Sequence, residues 1–185
     1  NSGTATLTRE KGANHLPQLT PHTRPIRRMS AVGRKRLAAE RKAFRKDKPF
    51  GFFAKPEKRP DGSQNLFRWR CGFPGKKGTV WEGPTYKVIL EFPNNYPTNP
   101  PSARFDPKIF HPNVFDSGDV CLSILKPDVN WSPSLSVLQV LIGLQTLLSD
   151  PNNDDPACRT AANLFKNNLA EYNKKVQQQA KRLSD

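Results

Sequence analysis

The sequence is short of the residues that build cross-links and metal sites. Its 185 residues include three cysteines and three histidines. Cys71, Cys121 and Cys158 are odd in number and widely spaced, a poor disulfide framework and a poor zinc site. Reduced thiols in the cytosol or nucleus are the natural state of such a set. Long apolar runs are missing too. No stretch approaches the roughly 20 apolar residues of a membrane span. The N-terminus lacks an apolar signal region, so a soluble, intracellular protein is expected. There is no internal repeat, and no RNP-type, KH or zinc-finger pattern of a nucleic-acid reader. Negative charge is also scarce. Sixteen Asp and Glu face 30 Lys and Arg, for a formal net charge of +14.

What is present suits one domain with flanking sequence. The chain is 35% hydrophobic, enough for one ordinary core and not for two. Residues 1–28 are rich in Thr, Pro, Asn and Arg without hydrophobic period, and read as a disordered N-terminal extension. The domain proper is expected over 29–185, opening at Met29, the single methionine. The charge is uneven. Between positions 27 and 59 there are thirteen Lys and Arg against Glu40, Asp47 and Glu57. Such a patch suggests an acidic partner: nucleic acid, a membrane surface or an acidic protein face. No aromatics interleave with it for base stacking, so nucleic acid is not required, and DNA contact would be an accessory of the extension.

Residues 30–47 carry a helical pattern. Ser30 suits an N-cap, Leu37 and Phe44 are the apolar anchors, and Pro49 ends the run. The period then changes. Residues 50–55 and 65–73 are strand-like around a Pro60-Asp61-Gly62 turn. A second turn at 74–78 leads to a strand over 85–92, and 103–105 makes a short fourth. Four strands with short turns predict an antiparallel meander. Residues 107–129 lack regular period, and a long loop inside a compact domain is usually functional. Residues 134–149 form a strongly apolar helix whose Val137, Leu138, Leu141, Leu144, Leu147 and Leu148 point all round. Helical segments over 158–166 and 169–182 follow. The class is α+β.

The chemistry is concentrated in the long loop, at His111-Pro112-Asn113 and then Val120-Cys121-Leu122. A thiol on such a loop is a candidate nucleophile. A Cys/His hydrolase needs an oriented base beside the thiol, and His111 is the one histidine outside the extension. His111 also fits a structural, hydrogen-bonded turn residue. A thiol that only exchanges thioesters needs less, because a thioester is already activated. Cys71 and Cys158 fit inert packing positions, and Trp81 and Trp131 packing rather than recognition.

Several spacings agree at once with a known family. His111-Pro112-Asn113, Cys121 eight residues after the Asn, Leu122 and Trp131-Ser132-Pro133 resemble the ubiquitin-conjugating family. Tyr96-Pro97, Pro100-Pro101 and Pro151-Asn152-Asn153-Asp154-Asp155-Pro156 fit it as well. The resemblance covers about 29–185. Arg36-Leu37-Ala38-Ala39-Glu40-Arg41-Lys42-Ala43-Phe44, Pro60-Asp61-Gly62, the stretch from Pro74-Gly75-Lys76-Lys77 to Trp81-Glu82-Gly83, and Cys121-Leu122-Ser123-Ile124-Leu125 resemble its SUMO-conjugating branch.

The resemblance implies a ubiquitin-conjugating fold: an N-terminal helix, a four-stranded antiparallel meander, a long active-site loop and three C-terminal helices. It implies a transferase that carries SUMO as a thioester on Cys121 and passes it to lysines of target proteins. Asn113 would donate to the oxyanion or brace the loop. Asp155 would position the incoming lysine and help relay its proton, unless Asp154 and Asp155 only cap the next helix. Phe115, Ser117, Asp119, Arg104 and Asp154 would form the surface the target lysine crosses. Arg41, Arg45 and Lys48 would dock SUMO and the activating enzyme. The partners implied are SUMO, a heterodimeric SUMO-activating enzyme, SUMO ligases and lysine-containing targets, with no membrane. No cofactor or metal is implied, since ATP is used by the activating enzyme, and the setting is nucleus and cytoplasm. Three positions depart from the branch. Asp119 stands where a Thr is usual, Ser102 where a Lys is usual, and Phe115 where a Tyr is usual. Asp119 would repel a substrate Glu, and Arg104 would partly replace the cation lost at Ser102. Lys126-Pro127-Asp128-Val129 also replaces a usually acidic loop. A relative that only binds and a nucleic-acid binder are the competing functions, and Cys121 beside Asn113 argues against the first.

Overall fold

The computed structural model describes Ser2 and residues 30–184. The expected N-terminal extension over 1–28 and the domain start at Met29 lie outside the described residues, Ser2 apart.

Helix α1, Ala31–Asp47, begins where Ser30 Oγ accepts from Gly33 N–H at 3.0 Å. Its buried stripe is Gly33, Leu37, Glu40 and Phe44, so the two predicted anchors share their face with a carboxylate. Glu40 is 7% exposed. It accepts from Val137 N–H at 2.9 Å and from Arg36 Nε at 2.8 Å. Arg36 in turn donates to Pro133 O at 2.7 Å. Glu40 thus satisfies an orphan amide at the start of helix α2, Val137–Ser149, where the helix dipole favours negative charge.

Four strands follow: β1 Phe53–Lys58, β2 Gln64–Pro74, β3 Thr85–Glu91 and β4 Ser102–Phe105. They pair antiparallel in the order β1-β2-β3-β4, which is the predicted meander. The first strand begins three residues later than expected. Pro49 O accepts from Phe52 N–H at 3.2 Å and Gly51 has φ +83°, so this segment is a turn and Phe50 is fully exposed. The connection after β2 is longer than the predicted 74–78 turn. Gly75 N–H donates to Pro84 O at 3.1 Å, and Trp81 O lies 1.7 Å from where a Cβ on Gly75 would sit. Only glycine fits there, and that close approach lets Trp81 bury its ring.

The core lies between the sheet and α2. Trp69, Phe73, Tyr86, Val88 and Leu90 from the strands meet Val140, Leu141, Leu144 and Leu148 from the helix. Burying one such aliphatic side chain contributes about 1.5–3 kcal/mol. Helix α2 starts at Val137 rather than at 134, because Ser136 and Gln139 form a reciprocal capping box that fixes the first turn. Its apolar residues do not point all round. Gln139, Ile142 and Thr146 form an exposed stripe, and Ile142 is 41% exposed. Helices α3, Arg159–Asn167, and α4, Leu169–Ser184, close the chain near the predicted bounds. Cys71 is buried, and burial pushes its thiol far up, as expected of an inert packing residue. Trp81 is buried, and half-buried Trp131 donates to Pro97 O at 2.9 Å.

Candidate active site

The stretch expected to be an irregular loop is laid along the end of β4. Phe105 N–H donates to Gly118 O and Val120 N–H to Ala103 O, both at 2.9 Å. Arg104 pairs with Asp119, and Val114 with Val120, as short antiparallel bridges. Between them the chain turns, with Phe115 N–H donating to Asp119 O at 2.9 Å and Gly118 at φ +89°. A Cβ at Gly118 would lie 2.7 Å from Phe105 O, so glycine is needed for the loop to sit this close. Cys121 N–H then donates to Asn113 O at 2.9 Å. Local hydrophobic period could not reveal this, because the bonds run to β4 and across the segment's own turn.

Beneath Cys121 lies a buried brace. His111 is 0% exposed and Asn113 1%. His111 Nδ1 accepts from Asn113 N–H at 3.0 Å, so Nε2 carries the proton and donates to Leu147 O at 2.9 Å. Burial pulls His111 down to about 4, against the opposing backbone bonds at Leu147 and Leu148. A neutral, doubly bonded ring sealed under the loop is a structural histidine, not a base for the thiol. Asn113 Nδ2 donates to Asn152 O at 2.6 Å, and Cys158 N–H donates to Pro112 O at 2.9 Å. The cysteine loop is thereby stitched to the turn before α3. One of the two N–H donors of the Asn113 side-chain amide is thus engaged as a brace. Its Oδ1 is buried with no hydrogen-bond partner among the described residues.

Half-buried Cys121 opens into a cleft of about 440 Å³ that also holds Phe115, Leu125, Lys126, Asp155 and Pro156. Asp155 does not cap the next helix, and neither does Asp154: the N-cap of α3 is Cys158. Asp155 Oδ2 instead accepts from Lys126 Nζ at 3.1 Å. That bond is the main cause that raises Lys126 above the ordinary lysine value. On the opposite rim Phe115 is 46% exposed, and Ser117 Oγ donates to Asp119 Oδ2 at 2.7 Å. Arg104 reaches that rim through its backbone bridge to Asp119. Exposed Asp154 donates its N–H to Asn152 Oδ1 at 3.0 Å.

The expected docking residues lie away from the cleft. Arg41, Arg45 and Lys48 follow one face of α1 and its C-cap. Arg41 donates to Gln64 Oε1 and Lys48 to Phe52 O. Cys158 is half-buried and borders a separate cavity of about 650 Å³ between the 107–116 segment and α4. Two site residues were not in the expected set. Asn152 acts through its backbone carbonyl, which no side-chain pattern reports. Lys126 carried a signal in the sequence, a cation five residues after the thiol, in a loop that departs from the branch.

Among the described residues no group of three or more His, Cys, Asp or Glu is placed to hold a metal ion, and no helix is long and apolar enough to cross a membrane. The sequence is 50% identical over 152 residues to the SUMO-conjugating enzyme UBC9 of Caenorhabditis elegans, covering 82% of this chain and 92% of that protein. It is 49% identical over 153 residues to the Sumo-conjugating enzyme ubc9 of Dictyostelium discoideum, covering 83% and 96%. The profile described as ubiquitin-conjugating enzyme matches residues 36–180, and the four helices and antiparallel meander have that family's arrangement: the chain belongs to the ubiquitin-conjugating enzyme family.

Proposed function

We propose that this chain is a SUMO-conjugating enzyme that carries SUMO on Cys121. The observation that carries this reading is the half-buried thiol held by backbone bonds at the mouth of a cleft, in a chain about half identical to two SUMO-conjugating enzymes. In the first step the Cys121 sulfur attacks the SUMO thioester on an activating enzyme heterodimer. The new C–S bond forms as the old one breaks, and the activating enzyme's thiolate leaves. In the second step a target lysine nitrogen attacks the same carbonyl carbon. The C–N isopeptide bond forms, the C–S bond breaks and the Cys121 thiolate is released.

The lysine must shed a proton to attack, since its free pKa is near 10.4. Asp155, at the cleft, seats the ammonium and relays that proton to solvent. Asn113 first serves as the brace that holds the Asp155 turn against the cysteine loop. The thioester is already activated, so the transfer calls for no cofactor, and ATP is used upstream. Arg41, Arg45 and Lys48 supply the cationic face for the activating enzyme and for SUMO, an attraction that chiefly raises association rates. SUMO ligases and lysine-bearing targets complete the partners, and the three free thiols fit a reducing nuclear and cytoplasmic setting.

The test is a thioester assay. The protein, the SUMO-activating enzyme, SUMO and ATP should give an adduct of one SUMO mass that reductant removes. Cys121→Ser should give a reductant-resistant ester or nothing. An adduct formed equally well with ubiquitin and its own activating enzyme would refute the SUMO assignment.

A further inference from the structure

We propose that the cavity between the 107–116 segment and α4 binds an amphipathic carboxylate of the fatty-acid class, with its head on the α4 cations and its chain along the apolar walls. The site is separate from the Cys121 cleft and does not depend on the acyl-transfer reading.

The cavity has a volume of about 650 Å³, inside the roughly 300–1,000 Å³ range of small-molecule sites. Its walls are fixed before any ligand arrives. Gln179 of α4 holds both backbone groups of Phe110, accepting from its N–H at 2.7 Å and donating to its O at 3.3 Å. Cys158, another wall, donates its backbone N–H to Pro112 O at 2.9 Å. A site already formed loses little freedom when it is filled.

Polarity in the cavity is divided. Lys108, Lys175 and Arg182 line it against a single carboxylate, Asp116. Asp116 is fully exposed and reaches only Lys108, at 3.5 Å. Lys175 has one long contact, to Glu171 at 3.9 Å, and Arg182 has no ion pair among the described residues. Lys175 and Arg182 are seven residues apart and share one face of α4, so an anionic head meets two cations with little competing charge. The remaining walls are largely apolar, and one end narrows. Pro107, Ile109 and Leu183 also wall a slot of about 20 Å³ that runs on to Thr85, Tyr86 and Lys87 of β3. That is room for about one methyl-sized group. It suits the tip of an aliphatic chain, and excludes a ring or a peptide backbone whose polar groups would find no partners there.

The test titrates the full chain calorimetrically with octanoate, decanoate and dodecanoate below their micelle concentrations, beside dodecyltrimethylammonium. One carboxylate should bind per chain, about fourfold tighter for each methylene added while the tail stays within the walls. The cationic amphiphile should not bind. Arg182→Glu should weaken dodecanoate by roughly fivefold, because it removes an exposed ion pair and adds repulsion. Gln178→Trp, at an exposed position lining the cavity, should block it. Lys77→Glu, the same charge change on an exposed turn outside the cavity, should leave binding unchanged. Alkylation followed by peptide mass mapping places the ligand. Dodecanoate should protect Cys158, which lines this cavity, and not Cys121, which lines the other cleft. The site is overturned by absent binding, by binding without fixed stoichiometry or shared with the cationic amphiphile, by a Gln178→Trp variant that still binds, or by a Lys77→Glu loss equal to that of Arg182→Glu. Protection of Cys121 in place of Cys158 would overturn it as well, by moving the carboxylate to the reactive cleft.

Discussion

Two polar pairs bracket Cys121, and they differ in every respect that sets their energetics. His111 and Asn113 are buried, and their side chains bond to backbone: to Asn113 N–H, Leu147 O and Asn152 O. The side chains of Lys126 and Asp155 are open to solvent and bond to each other. The first pair has no water to fall back on, so losing either member orphans a buried polar group at a cost of about 1–3 kcal/mol. The second can exchange its bond for water at little cost. The site is thus rigid where it holds the thiol and replaceable where it meets the substrate.

The largest effect should come from His111→Ala. It orphans Leu147 O and Asn113 N–H and opens a void beside Trp81, whose ring centroid is 5.5 Å from that of His111. A loss of about 3 kcal/mol or more is expected from the two orphaned groups and the cavity together. A fall in the urea midpoint would register it, and thioester formation should fall with it. An unchanged midpoint would mean that this pair is no more structural than the exposed one.

Proton linkage gives a second, somewhat smaller separation. His111 is held near 4 in the fold by burial and returns to about 6.5 when unfolded. Between those values the unfolded chain binds the extra proton. Stability therefore rises with pH across that window and is lost as pH falls from about 6.5 towards 4, by up to about 3 kcal/mol. Urea midpoints from pH 4 to 8 for wild type and His111→Gln would isolate the contribution, since other carboxylates titrate in both. Parallel curves would refute it.

The same contrast separates what the sequence could reveal from what it could not. The meander, the helix order and the Ser30 cap were legible because each follows from local period or local bonding. The early start expected for β1 failed because Phe50 is apolar yet sits on an exposed turn beside Gly51. The loop at Cys121 looked irregular because it is held by Ala103 and Phe105 of β4 and, across its own turn, by Asn113 and Val114. Cys121 was legible by its neighbours' spacing. The engagement of Asn113 with the Asn152 carbonyl was not, and neither was the reach of Lys126 to Asp155. Both depend on how two separate turns meet.

A third, intermediate effect is expected at Asn113. Asn113→Ala removes the Nδ2 bond to Asn152 O and should cost about 1–2 kcal/mol of stability, the scale of one buried hydrogen bond. It should also slow transfer to lysine more than loading from the activating enzyme, because the slackened 151–156 turn carries Asp155. Single-turnover rates of the two half-reactions would decide. Equal slowing of both would place the amide in the oxyanion chemistry that the two steps share.

The smallest effect is the most diagnostic. Lys126→Ala removes an ion pair whose members are both open to water, where screening and side-chain entropy cancel most of the attraction. Its thermal melt should superimpose on that of wild type at low and at high salt. A melt that shifts, and shifts more at low salt, would show that the exposed pair also holds the fold and would erase the distinction between the two sides of the thiol. A melt that does not move leaves any altered transfer by that variant attributable to the cleft beside Cys121 rather than to a weakened fold.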